Sequence, residues 1–263
     1  MDSKKTVFHL IFAFLNAFLI FCSAVLWVLF VFSLADTVVL IGEKSGYEKK
    51  CAKEAEKQMN NIALAGGFGQ GFFDGILEGN VKKDNLETFI NSARKSENFE
   101  AENNVVLGEI NDKIFSFAER EIGSFSLETR AVLEETATLC MGEIERVFYP
   151  DLIRHFCAFL GRFNSLFLVG ASVSAALFFC SSFLLFKRDK TRLKTSLFSA
   201  FLMCFSAPAF LIVFLSGKTF GISHLWLKDF FAIYVNLLLF SLVFLSFIFL
   251  ILALCIKKHP VST

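Results

Sequence analysis

The sequence predicts an all-α, polytopic membrane protein: four transmembrane helices plus an extracytoplasmic helical bundle. Three observations predict it. Four stretches of the 263-residue chain are apolar over the roughly 17 to 25 residues that a bilayer-spanning helix needs, and none of them contains Asp, Glu, Lys or Arg. Between the first two stretches, apolar residues recur at helical rather than alternating spacing. The composition agrees, with 55% hydrophobic residues, 36 Phe and a mean hydropathy of +0.58.

The first span runs from Val7 to Leu34, with His9 as its only side chain that titrates near neutrality. It follows Lys4 and Lys5, as a secretory signal would, and Ser33-Leu34-Ala35 has cleavage-like small residues. A signal core is only about 7 to 15 residues long, so this run reads as an uncleaved anchor. The other spans are Phe163 to Phe186, Leu197 to Ser216 and Phe230 to Ile256. Orientation follows from basic residues: Lys4, Lys5, Lys187, Arg188, Lys190, Arg192, Lys194, Lys257 and Lys258 flank one side, and only Arg162, Lys218 and Lys228 the other. Positive segments stay inside. Both termini and a basic loop at 187–196 are therefore expected in the cytoplasm, and residues from about 42 to 161 outside. The corresponding division is 1–41 (N-terminus and first span), 42–155 (an acidic outer domain) and 156–263 (the remaining spans).

From Glu43 to Arg154 there are 21 acidic and 14 basic residues. An outer domain of net charge −7 repels nucleic acid and anionic membrane surfaces. Its predicted helices carry the stripes Tyr47-Cys51-Ala55-Met59-Ile62, Leu86-Phe89-Ile90-Ala93 with Asp84 as cap, Leu107-Ile110-Ile114-Phe117, and Leu133-Ala137-Cys140-Ile144-Val147. The last two form a hairpin turning at Gly123-Ser124-Phe125-Ser126, with Ser126 as N-cap. Tyr149-Pro150-Asp151 ends the last stripe and starts a helix that runs into the second span as a short rigid joint.

Gly67, Phe68, Gly71, Phe72, Gly75 and Gly79 belong to the most unusual segment. Without a Gly-Lys-Ser/Thr or a preceding strand it is no phosphate loop. Three readings stand: an irregular connection with its Phe residues tucked into the bundle, a closely packed helix with a glycine ridge, or an interfacial segment touching lipid. Of seven cysteines, Cys22, Cys180, Cys204 and Cys255 fill spans. Cys51 and Cys140 lie well inside the outer domain, as a candidate disulfide worth about 4 to 5 kcal/mol or as two buried thiols. Asp36 and Arg162 are placed for an interfacial ion pair. Gly170 and Ser174 have small-xxx-small spacing, as do Ala171 and Ala175; Asn16, Asn164 and Asn236 can hydrogen-bond between helices, and Pro208 interrupts the third span.

His9, His155, His224 and His259 form no ligand-spaced set, and no catalytic motif or intraspan carboxylate pair is found. No cofactor and no enzymatic role are expected. The layout resembles uncharacterised bacterial four-span proteins whose helical first outer loop opens with a Tyr-centred amphipathic helix, here Gly46-Tyr47-Glu48-Lys49-Lys50. That resemblance implies a bacterial plasma membrane. The expected partners are the lipid bilayer and either another membrane protein or further copies of the chain. The expected role is sensing, ligand binding or docking onto an envelope or transport complex, with a homo-oligomeric pore or transporter subunit as the alternative.

Overall fold

A computed structural model describes residues 3–77, 83–95, 97, 104–124, 126–188, 190–215 and 225–256. In chain order the helices are α1 (Ser3–Phe32), α2 (Ala35–Ser45), α3 (Tyr47–Ala65), α4 (Lys83–Lys95), α5 (Asn104–Ile122), α6 (Leu127–Phe148), α7 (Asp151–Arg188), α8 (Lys190–Leu215) and α9 (Leu225–Cys255), with no strand among the described residues. The fold is all-helical.

By length and composition, three helices among the described residues could cross a membrane: Ile11–Phe32 in α1, Asp151–Lys187 in α7 and Leu227–Cys255 in α9. The sequence predicts four. The remaining stretch, Leu197 to Ser216, corresponds to α8, a helix as far as Leu215; several side chains in its second half, and Ser216, lie outside the described residues. The predicted basic loop at 187–196 is not a loop, because α7 continues to Arg188 and α8 opens at Lys190. Leu193, Ser196 and Leu197 are all buried at three- and four-residue spacing, so helix is the conformation that removes this face from solvent.

The chain divides into two compact units, Met1–Thr37 with Phe163–Thr263, and Val38–Arg162. The borders fall within α2 and α7. In the first unit α8 packs along α9 and α1, and α1 along α9. Its core joins Ala17 and Ile20 to Leu185, Leu193, Leu197, Ala200 and Ala253. Small residues at 17, 200 and 253 let these helix backbones approach.

In the second unit α6 packs against both α3 and α5. The α6 stripe Leu133, Ala137, Cys140, Ile144 and Val147 is buried as the spacing predicts. On α3 and α5 the buried faces end one residue off the predicted stripes, at Ala63 rather than Ile62 and at Val106 and Ala118 rather than Leu107 and Phe117. Helix rotation chose the smaller residues for the interior and left the larger ones half-covered. Ser126 caps α6, its Oγ accepting from the Thr129 N–H at 3.2 Å. The sequence predicts no separate α2, yet the first helix stops at Phe32, and Val38, Val39 and Ile41 form a buried stripe of their own.

Candidate functional site

In the first unit a neutral polar cluster interrupts the apolar packing. Asn16, on α1, is buried, and its amide nitrogen donates to Ser196 Oγ at 2.8 Å and to Ser182 Oγ at 3.3 Å. The Ser181 hydroxyl donates to Asn16 Oδ1, and the Ser196 hydroxyl donates back to the Ala13 carbonyl at 3.1 Å. Three helices, α1, α7 and α8, thus meet at one hydrogen-bonded point. Every partner is uncharged, and the bonds fix the register of the three helices at this level. A second tie joins the C-terminal end of α1 to its neighbours: Ser33 Oγ donates to Asn164 Oδ1 at 2.9 Å, and Tyr234 Oη donates to the Phe32 carbonyl at 2.8 Å, with the Tyr234 and Phe32 rings edge to face. These bonds collect carbonyls and hydroxyls where α1 ends.

Of the three asparagines singled out in the sequence, Asn16 and Asn164 bond between helices and Asn236 is exposed on α9. Gly170 faces Leu26, whose Cδ1 would lie 3.2 Å from an added Cβ. Ser174 is buried, but its hydroxyl donates within its own helix, to the Ala171 carbonyl. Pro208 is buried inside α8 and withholds the N–H that would otherwise bond to the Cys204 carbonyl.

The second unit is closed by a tie between α3 and the end of α6. Tyr47 Oη donates to the Phe148 carbonyl at 2.8 Å, and the Cys51 thiol points to the Val147 carbonyl at 3.7 Å. The Tyr149 ring then packs against Phe89 of α4 in a tilted contact, ring centroids 5.0 Å apart. The candidate Cys51–Cys140 disulfide is not formed; both thiols are free and buried. Cys51 sits beside Val147, and Cys140 lies two turns earlier on α6, about 10 Å along the helix axis, beyond the ~7 Å Cα separation that a bridge tolerates. Burial pushes the Tyr47 phenol and the Cys51 thiol well up, and raises the Cys140 thiol to about 11. All three are neutral at physiological pH.

The glycine- and phenylalanine-rich segment is irregular chain rather than a helix. Gly67, at φ +84°, occupies the left-handed position of a Schellman motif, in which the Phe68 N–H donates to the Ala63 carbonyl and the Gly67 N–H to the Leu64 carbonyl. Gly71 and Gly75 also have positive φ, so their four-residue repeat marks successive turns instead of a ridge. Phe68 and Phe73 are buried, and Phe68 and Phe72 both contact the Phe117 ring at 5.3 Å. Two acceptors one turn apart on α3 pin the segment: Asn60 Oδ1 takes the Phe73 N–H at 2.7 Å and Glu56 Oε1 takes the Leu77 N–H at 3.0 Å. Asn60 Nδ2 also donates to Asp74 Oδ1. Gly79 lies outside the described residues, as do His224 and His259.

Asp36 stands in the first turn of α2 and belongs to the first unit, whereas Arg162, exposed on α7, closes the second. The His155 imidazole donates from Nδ1 to the Asp151 carbonyl one turn back on α7. Among the described residues no three His, Cys, Asp or Glu side chains gather as metal ligands would.

Several positioning residues escape the sequence reading. Ser181, Ser182 and Ser196 look like ordinary small residues of apolar helices; their signal is the Ser-Ser pair one helix away from an intraspan Asn. Gly161 is a second: a Cβ there would run into the Arg94 carbonyl and lie 3.0 Å from the Arg94 Cα, so only glycine lets α7 meet the end of α4 so closely. Comparison with protein-family models, curated proteins and solved structures finds no match to this chain.

Proposed function

We propose that this chain is a non-enzymatic integral membrane protein of a bacterial plasma membrane, crossing it four times with both ends in the cytoplasm. Residues from about 42 to 161 face outward as a helical docking unit that binds a partner protein of the envelope. The asymmetry of basic residues supports the orientation, and the length of α8 supports the fourth crossing. One observation carries the docking role. The α5–α6 hairpin has its core face filled, yet it exposes large apolar side chains on the outside: Ile122 at 64%, Leu127 at 85%, Val132 at 60% and Leu139 at 55%. Val132 and Leu139 are seven residues apart, on one face of α6.

A photo-crosslinking residue at Val132 or Leu139, activated in native membranes and followed by mass spectrometry, tests this role. The expected outcome is one defined partner captured from both positions and not from exposed Glu109. Equal, diffuse labelling from all three positions contradicts docking. A second reading, a subunit of a homo-oligomeric pore, draws support from Asn236, a polar side chain exposed among outward-facing apolar residues of α9 such as Phe240 and Phe244. Crosslinks from Asn236 to further copies of the chain would favour it.

A further inference from the structure

The basic ends of α7 and α8 adjoin, since α7 closes at Arg188 and α8 opens at Lys190. Between them lies an open groove of about 550 Å³. Its outer wall is Phe179, Phe183 and Phe186 from α7, all exposed, and its floor is Leu193 from α8, which is buried. Ser182, which also touches the Asn16 cluster, supplies one of its few polar atoms. Two ammonium groups stand over this wall: Lys187 Nζ is 4.6 Å from the Phe183 ring centre and Lys190 Nζ is 5.0 Å from that of Phe186. An apolar trough thus ends in a pair of positive charges, each lying over a ring of the trough itself.

We propose that this groove binds an anionic phospholipid, with an acyl chain along Phe179, Phe183 and Phe186 and the phosphate between Lys187 and Lys190. The inference rests on the reading that α7 and α8 cross the bilayer. Charge complementarity selects the occupant: the apolar wall suits any acyl chain, but the two ammoniums favour a headgroup with net negative charge over a zwitterionic one, whose own cation they repel. Lysine suits the task, because its flexible stem packs on the ring while the charge reaches the headgroup. The same contacts clamp the adjoining ends of α7 and α8, so a bound lipid would bridge the two helices.

Native mass spectrometry of the full chain, released from nanodiscs of phosphatidylcholine with a minority of phosphatidylglycerol, tests the site. Wild-type protein should retain phosphatidylglycerol preferentially. K187Q/K190Q should lose that preference, its affinity falling about 30-fold, or roughly fivefold for each lysine. K257Q/K258Q, which removes two basic residues elsewhere in the chain, should keep it. Equal retention by K187Q/K190Q and wild type would overturn the proposal, and so would an equal loss in K257Q/K258Q, since attraction would then be diffuse. A chain that fails to enter nanodiscs overturns the membrane reading itself, whereas one that enters without selecting phosphatidylglycerol overturns only the lipid site.

Discussion

At the scale of single residues, the decisive groups are polar side chains with every bond made inside apolar surroundings. Asn16 is the clearest case, because it bonds to serines of two other helices. Replacing it with Leu adds apolar surface but leaves those serines without their shared partner. The Asn16→Leu protein should lose about 1–3 kcal/mol, the sum of several interhelical bonds each worth on the order of 1 kcal/mol. Reversible unfolding in mixed micelles measures this, and a variant as stable as wild type would show that the bonds carry no net energy.

The buried thiols and phenol of the second unit carry a pH consequence. A group whose folded value lies above its ordinary one keeps its proton when the unfolded chain has released it. Its contribution is therefore complete below the ordinary Cys value of 9.0 and is lost as pH rises toward about 11 for Cys140. Cys51 and Tyr47 shift in the same direction. Melting followed by circular dichroism should show a transition of the second unit that holds steady from pH 7 to 8.5 and falls between 9 and 11, with a shallower fall in Cys140→Ala. A melting temperature that is flat across that upper window would contradict the burial of these groups.

At the scale of elements, stops and turns matter as much as the helices. Gly67 ends α3 in a conformation that costs an L side chain about 1–2 kcal/mol. Gly67→Ala should therefore lower the melting temperature of the second unit by several degrees. Gly69→Ala should leave it unchanged, because its φ lies outside the left-handed region and no neighbouring atom crowds the new methyl. Equal effects from the two substitutions would show that the segment is not held in these turns. The four-residue glycine repeat itself was legible in the sequence, but its meaning was not. A helical ridge and a series of left-handed turns share that spacing, and Asn60 and Glu56, which select the turns, lie on the preceding helix.

Similar limits apply along the chain. The stripe on α6 and the Ser126 cap could be read directly, since both depend on residues within a few positions of one another. The break after Phe32 and the short α2 could not, because Ser33 finds its partner at Asn164, far along the chain. The basic segment 187–196 reads as a loop from its charge and as helix only once Leu193 and Ser196 have something to pack against.

For the whole molecule, the sequence by itself determined the all-helical class and the apolar runs long enough to cross a membrane: run length and helical period are each local sums over neighbouring residues. Tertiary structure alone decided what meets what. It kept Cys51 and Cys140 apart by setting Cys51 at the level of Val147 on α6, gathered Ser181, Ser182 and Ser196 onto Asn16, and set two lysines over the rings of one groove. Those outcomes depend on the register and rotation of helices remote in sequence. Periodicity specifies which face a helix buries; it contains no information about the partner that will cover it.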